Sequence, residues 1–69
     1  MFSVEWLKQG ITVEQEISAL GNLADAVMTT RARAELVAAR HPLDEPDGFR
    51  LLDTSGAVLI TFKFVARRL

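Results

Sequence analysis

The chain has 69 residues, 49% of them hydrophobic and 25% charged, with 4 Gly and 2 Pro, which excludes a disordered, collagen-like or low-complexity protein. It has no cysteine and a single histidine, which excludes a disulfide framework, a thiolate nucleophile and a cysteine-based zinc site. The formal net charge of -1 gives no strong overall attraction to nucleic acid, and the short length predicts one domain over residues 1–69.

The amino-terminal part of the chain predicts a β-hairpin. Apolar and polar side chains alternate on either side of Gln9-Gly10, which is the period of two typical of strands. The apolar positions are Phe2, Val4, Trp6, Ile11, Val13 and Ile17. A two-residue turn at Gln9-Gly10 would bring both apolar sets to one face, and glycine suits the positive φ of such a turn. This register places Trp6 opposite Val13 and Phe2 opposite Ile17.

One long helix is predicted between Asn22 and His41. Asn22 is a good N-cap, Asp25 stands in the first turn where the helix dipole favours an acid, and Pro42 ends the run. Residues on one stripe at helical spacing would face the sheet. They are Leu23, Val27, Thr30, Ala34, Val37, Ala38 and His41.

A second hairpin is predicted on either side of residues 53–56. The Asp and Gly at the ends of this segment favour a three-residue loop, which would put Leu51 opposite Leu59. Matching the apolar faces instead requires a loop of two or four residues, with Leu51 opposite Ile60 and Phe49 opposite Phe62. We predict the second register, because burying the aromatic set contributes several kcal/mol at about 25 cal/mol per Å², against roughly one for the turn preference. The last strand is the most apolar and is therefore predicted to be central.

Together these elements predict an α+β fold of order β-β-α-β-β. It is a four-stranded, mainly antiparallel sheet of two hairpins with one long helix on one face, and residues 42–48 form a surface loop. The pattern resembles a loose group of small uncharacterised bacterial proteins of this architecture. The segments that carry the resemblance are Phe2-x-Val4-x-Trp6, Leu23-Ala24-Asp25-Ala26-Val27 and Phe49-x-Leu51-x-Asp53-x-x-Gly56-x-Val58-Leu59. The resemblance implies this fold and no assigned activity.

The sequence predicts no catalytic, cofactor-binding or metal-binding residue, so we do not expect an enzyme. His41 stands just before Pro42, where an imidazole can meet the free carbonyls of a helix end. The nearby acids Asp44, Glu45 and Asp47 match no calcium-loop spacing. No serine lies in a strand-turn-helix elbow, and no glycine-rich phosphate loop precedes the helix.

A small protein-interaction domain that forms a homodimer is the predicted function. Four strands at about 4.8 Å spacing are nearly twice as wide as the roughly 10 Å helix that covers them, so part of the aromatic face stays open unless the loop of residues 42–46 closes over it through Leu43. The opposite sheet face is semi-apolar, and its apolar residues are the predicted interaction surface: Leu7, Leu52, Leu59 and Val65. The partner is a second copy or, alternatively, a peptide or another protein.

The alternative function is weak nucleic-acid binding. Arg33 and Arg40 are seven residues apart, so on one helix they share a side, which is predicted to be the outer one. Arg67 and Arg68 could add to such a surface, but the acids in between dilute it. The amino terminus lacks a basic region and an apolar run, so no signal peptide is predicted. No apolar stretch approaches the roughly 18 to 20 residues of a membrane span, so a cytoplasmic location is predicted.

Overall fold

The structure, a computed structural model, describes residues 1–64. Its elements are β1 (Phe2–Lys8), β2 (Ile11–Ser18), α1 (Leu23–Ala32), α2 (Ala34–Arg40), β3 (Gly48–Leu52) and β4 (Val58–Lys63). The strands form one sheet in the order β2-β1-β3-β4, and every neighbouring pair is antiparallel. The predicted α+β fold with a four-stranded antiparallel sheet is therefore confirmed. The predicted single long helix is wrong, because two helices stand between the hairpins.

The core lies between the two helices and the central strands β1 and β3. Its fully buried residues are Val4, Trp6, Ala26, Val37, Phe49 and Leu51. The large side chains among them come from β1 and β3, whereas Ile60 and Phe62 of β4 are only half-buried. The prediction that the last strand is central is wrong, because β4 forms one edge of the sheet. Its apolar residues pack against the margin of the core and not at its centre.

The first hairpin has the predicted turn but not the predicted register. Gln9 and Gly10 have φ values of 51° and 81°, and Lys8 pairs with Ile11 across a two-residue turn. A β-bulge then shifts the pairing, so that Trp6 faces Glu14 and not Val13. Beyond the bulge every side chain of β2 lies on the opposite face from the one predicted.

The shift also changes the partner of Phe2, which faces Ser18 and not Ile17. Ile17 lies on the face of the sheet away from the helices and is 65% exposed. Glu14 and Glu16 lie on the face toward the helices. The bulge therefore brings acidic side chains to the inner face of β2 beyond Val13, which itself packs against the core.

The helical segment begins as predicted and is interrupted at Arg33. The Asn22 side chain accepts a hydrogen bond from the Asp25 N–H at 3.1 Å, which confirms the predicted N-cap. The Thr30 hydroxyl donates to the Ala26 carbonyl oxygen at 2.7 Å, a back-bond that bends helices. The Arg33 N–H then bonds three residues back, to Thr30, and α2 begins at the next residue.

The second hairpin has the predicted register, with Leu51 opposite Ile60 and Phe49 opposite Phe62. The alternative pairing of Leu51 with Leu59 is therefore wrong. The predicted loop length is also wrong, because Leu52 pairs with Val58 and a second bulge absorbs the odd residue. Residues 53–57 form the connection.

Asp53 organises this connection. Its Oδ1 accepts hydrogen bonds from the Ser55 N–H and hydroxyl and from the Ala57 N–H. The Ser55 hydroxyl, followed by the Ala57 N–H, lowers the pKa of Asp53 below its ordinary value. The turn predicted from the Asp and Gly of residues 53–56 is therefore present, but within a longer loop.

Leu43 in the connection from α2 to β3 does not close over the aromatic face. Leu43, the residue expected to close over it, is 93% exposed, while Pro46 is buried. The Asp47 N–H and carbonyl join this segment to Leu7 and Phe64. None of the helices in residues 1–64 is long and apolar enough to cross a membrane.

The two turn glycines give a direct test of the hairpins. Gly10 and Gly56 have φ values of +81° and +88°, a region that a β-branched side chain resists. Changing either residue to Val should lower the free energy of unfolding by about 1–3 kcal/mol in thermal or urea denaturation. Changing either to Asn should cost much less, since Asn tolerates positive φ. Equal losses for Val and Asn would contradict the backbone explanation.

Candidate functional site

The acidic inner face of β2 meets basic side chains of the helical segment. We call Glu14, Glu16, Arg33, Arg40 and His41 the acid–base cluster. The bulge in β2 turns the two glutamates toward the helices, and the interruption of the helix places Arg33 above them. Both glutamates are half-buried and lie on the edge strand β2. Their cross-strand neighbours on β1 and β3 belong to the apolar core. The cluster therefore closes the β2 side of the core.

Glu16 is the most heavily bonded member of the cluster. Its Oε2 accepts from the indole N–H of Trp6 at 3.0 Å and from Arg33 Nε at 3.2 Å. Its Oε1 accepts from Arg33 Nη2 at 2.5 Å and from Arg40 Nη2 at 3.3 Å. The Arg33 guanidinium lowers the pKa of Glu16 below its ordinary value, against the opposing effect of burial, and the Trp6 N–H acts in the same direction as Arg33. In return, Glu16 raises the pKa of Arg33.

Glu14 is bound by the end of α2. Its two carboxylate oxygens contact Arg40 and the Nε2 of His41, the latter at 2.7 Å. His41 caps α2 through its backbone N–H, which bonds to the Ala38 carbonyl oxygen. The prediction that His41 ends the helix is confirmed, while its ring binds the strand and not the helix carbonyls.

The two arginines predicted to face outward from the helix face the sheet instead. Arg33 and Arg40 form ion pairs with Glu16 and Glu14, so the prediction that they project from the outer side of the helix is wrong, whereas their role as nucleic-acid contacts stays a prediction. The physical reason is that the strand acids lie within reach and an ion pair with partly desolvated partners satisfies both charges. Arg67 and Arg68 lie outside the described residues, so nucleic-acid binding stays a prediction.

The two carboxylates of the cluster are occupied by contacts within the chain. Both carboxylates are already engaged by donors of the chain, so acting as a base or ligand would require breaking these contacts. In residues 1–64 no three or more His, Asp or Glu side chains gather as metal ligands. We therefore interpret the cluster as structural support.

An open cleft of about 470 Å³ lies beside the cluster, between the end of β2 and α1. Val4, Glu16, Thr30 and Arg33 are among its lining residues. The Glu16, Thr30 and Arg33 side chains all bond to other parts of the chain. Within residues 1–64 no buried side-chain polar atom lacks a hydrogen-bond partner. The cleft therefore offers no buried polar group left without a partner that would select a ligand.

The outer sheet face carries a polar row across its middle. Glu5 pairs with Gln15 on one side and Arg50 on the other, and Thr61 completes the row on β4. Gln15 donates to Glu5 at 3.0 Å, and Arg50 forms an ion pair with the same carboxylate. The Arg50 hydrogen bond lowers the pKa of Glu5, burial opposes it, and the Gln15 bond adds to the lowering. The charges of this row thus neutralise each other within one chain.

Next to the polar row lies an exposed apolar row that reaches both edges of the sheet. Ser3 pairs with Ile17 and Leu52, and Leu52 pairs with Val58. Ile17, Val58 and the adjacent Leu59 are 65%, 51% and 43% exposed. We call Ile17, Leu52, Val58 and Leu59 the apolar row.

Part of the predicted interaction surface belongs to this row. Leu59 is exposed and Leu52 half-exposed, but Leu7 is 8% exposed and contributes little to the free surface. Val65 lies outside the described residues. The sequence missed Ile17, because the predicted register turned it inward, and missed Val58, because the second bulge was not foreseen.

Comparison with protein-family models, curated proteins and solved structures found no match. The resemblance to small β-β-α-β-β proteins stays a prediction, and the site is interpreted from its own geometry.

Proposed function

We propose that this protein is a small interaction domain that associates with a second copy of itself through the apolar row of the outer sheet face. The observation that carries the proposal is the exposure of Ile17, Val58 and Leu59 together with Leu52 in one row across the sheet. Ser3 of β1 lies between Ile17 and Leu52, so the exposed apolar side chains stand on both sides of one small polar residue. Exposed apolar side chains with a polar margin are typical of protein contact surfaces.

A second copy fits this surface because the charges of the polar row are already paired within one chain. Glu5 is paired with Arg50 inside each chain, so the polar row demands no complementary charge from a partner. A two-fold axis would bring apolar row against apolar row and place the neutral polar rows at the margin. Because Glu5 and Arg50 neutralise each other, a charged partner would gain no ion pair from them.

The β2 edge is poorly suited to the same task. Inward-pointing charges and a bulge are the features by which natural sheets prevent edge-to-edge pairing. β2 has both, in Glu14, Glu16 and the shift after Trp6. On the β2 side of the molecule, contact through the face is therefore favoured over contact through the edge.

Ile17 tests the proposal, because it lies in the apolar row but far from β4. At tens of micromolar, light scattering should give the wild type a mass above the 7.6 kDa of one chain, and Ile17→Lys should lower that mass by placing a charge in the contact. The matched control is Leu36→Lys on α2, where Leu36 is 53% exposed, and its mass should equal that of the wild type.

A wild-type mass of one chain would contradict self-association and favour another protein as the partner. If Ile17→Lys and the wild type have equal masses and both associate, the contact does not lie in the apolar row. Circular dichroism of each variant establishes that the fold is retained.

A further inference from the structure

The β4 edge differs from the β2 edge in charge and regularity. Beyond the bulge at its start, β4 pairs regularly with β3. Its inward side chains are Ile60, Phe62 and, just beyond its end, Phe64, all half-buried at the margin of the core. The helices reach this margin through Arg31, whose guanidinium lies 4.8 Å from the centre of the Phe62 ring. β4 thus lacks the inward charges that protect β2.

The backbone of β4 presents hydrogen-bonding groups to the open edge. The Phe64 N–H donates to the Asp47 carbonyl at 2.9 Å, so residues 60, 62 and 64 turn their backbone groups toward β3. In an antiparallel ladder the intervening residues point the other way. Thr61 and Lys63 therefore direct their N–H and C=O groups outward, where no strand of residues 1–64 pairs with them.

We propose that the β4 edge is a second self-association surface, on which β4 of another copy adds antiparallel about a two-fold axis at Thr61. Its partner, a second copy, is that of the proposed function, but the surface is separate. This register opposes Ile60 with Phe62 of the other copy, and the bulge at the start of β4 ends it before Val58. It forms backbone hydrogen bonds at Thr61 and Lys63 and joins two sheets into one.

The charges of β4 agree with this register. Lys63 lies opposite Leu59 of the other copy, so no like charges face each other. The corresponding pairing of β2 with itself about Gln15 would oppose Glu14 and Glu16, and the bulge would interrupt it. Directly opposed like charges destabilise strand pairing. Self-complementarity of β4 therefore selects a second copy as the occupant of this edge.

Charge exchange at Thr61 tests the proposal. Thr61 is exposed and would meet its own copy at the two-fold axis. In the Ile17→Lys background, which removes the face contact, the protein should still form a dimer. Adding Thr61→Lys or Thr61→Glu should each weaken that dimer about tenfold or more, because like charges meet. Mixing the Lys and Glu variants should restore a dimer containing one of each, detected by sedimentation or native mass spectrometry.

The matched control is Thr12 on the opposite edge, also an exposed threonine of the outer face. Thr12→Lys and Thr12→Glu in the same background should leave the dimer unchanged, and mixing them should have no effect. An Ile17→Lys protein that is monomeric would overturn the edge proposal while leaving the face proposal intact. Charge-dependent mixing at Thr12 but not at Thr61 would overturn it in favour of β2. An Ile17→Lys mass equal to that of the wild type would refute the face contact alone.

Discussion

Changing Gly48 to Ala should lower the free energy of unfolding by about 2–4 kcal/mol, a large part of the stability of so small a domain. Gly48 begins β3 and is buried between β1 and β4. A Cβ atom placed on it would lie 2.3 Å from the Phe62 carbonyl oxygen and 3.2 Å from the Cα of Lys63. Both are backbone atoms, so relief requires the strands to separate.

The control for this change is Gly21→Ala. Gly21 has open space around its Cα and precedes the Asn22 cap, so the substitution should change the unfolding free energy little. Urea denaturation followed by circular dichroism measures both variants. If Gly48→Ala and Gly21→Ala unfold at the same urea concentration, the close approach of β3 to β4 is wrong.

Changing Glu16 to Ala should lower the free energy of unfolding by about 2–3 kcal/mol. The substitution leaves the indole N–H of Trp6 and the guanidinium of Arg33 without their acceptor, and an unpaired buried group costs more than the lost bond itself. We place the loss below that of a fully buried pair because the Arg33 side chain is 40% exposed. Glu35→Ala, an exposed acid on α2, is the control and should have a small effect.

The same carboxylate should make stability depend on pH. The pKa of Glu16 is lowered from its ordinary value of 4.5 in the folded protein, so the unfolded chain binds the proton more readily. The stabilisation is therefore fully present above pH 4.5 and is lost as the pH falls through the folded pKa. Glu5, whose pKa is also lowered, contributes with the same sign.

Glu16→Gln separates the charge from the hydrogen bond to Trp6. The amide oxygen can still accept from the indole, but the residue no longer titrates. The wild type should lose its stability advantage over Glu16→Gln as the pH falls from 6 to about 3. A constant difference in unfolding free energy over that range would show that the Glu16 charge does not stabilise the fold.

The strands and the first cap were predictable because they depend on local signals. Alternation marked the four strands, the glycine at position 10 marked a turn, and Asn22 marked the start of α1. The register of the second hairpin was also predictable. There the aromatic set has one arrangement that buries it, and the loop adapted to that arrangement.

The register of the first hairpin was not predictable in the same way. The bulge after Trp6 brings Glu16 inward and leaves Ile17 exposed, against the rule that apolar side chains are buried. Arg33 and Arg40, which lie far along the chain, compensate for the inward position of Glu16 by pairing with the strand acids. Alternation within the strand does not indicate this pairing. The sequence did contain a signal for the observed register: two acids stand two residues apart in the strand, and two arginines that can pair with them stand seven residues apart in the helical segment.

The interruption of the helix and the place of β4 also depended on long-range packing. No Gly or Pro stands at Arg33, so composition gives no reason for a break there. The break follows from the Thr30 back-bond and from the attraction of Arg33 to Glu16. β4 lies at the edge because the helices cover the large side chains of β1 and β3. The total apolar content of a strand does not indicate which strands the helices will cover.

The order of the strands has a consequence for the route by which the chain folds. Each hairpin joins neighbours along the chain, but β1 and β3 pair across a long intervening segment, with Glu5 opposite Arg50. Closing that segment costs chain entropy before any contact between the hairpins repays it. We expect the two hairpins to appear early and to join late, so substitutions at the β1–β3 seam should slow refolding, whereas those at the hairpin tips should act on the earliest steps.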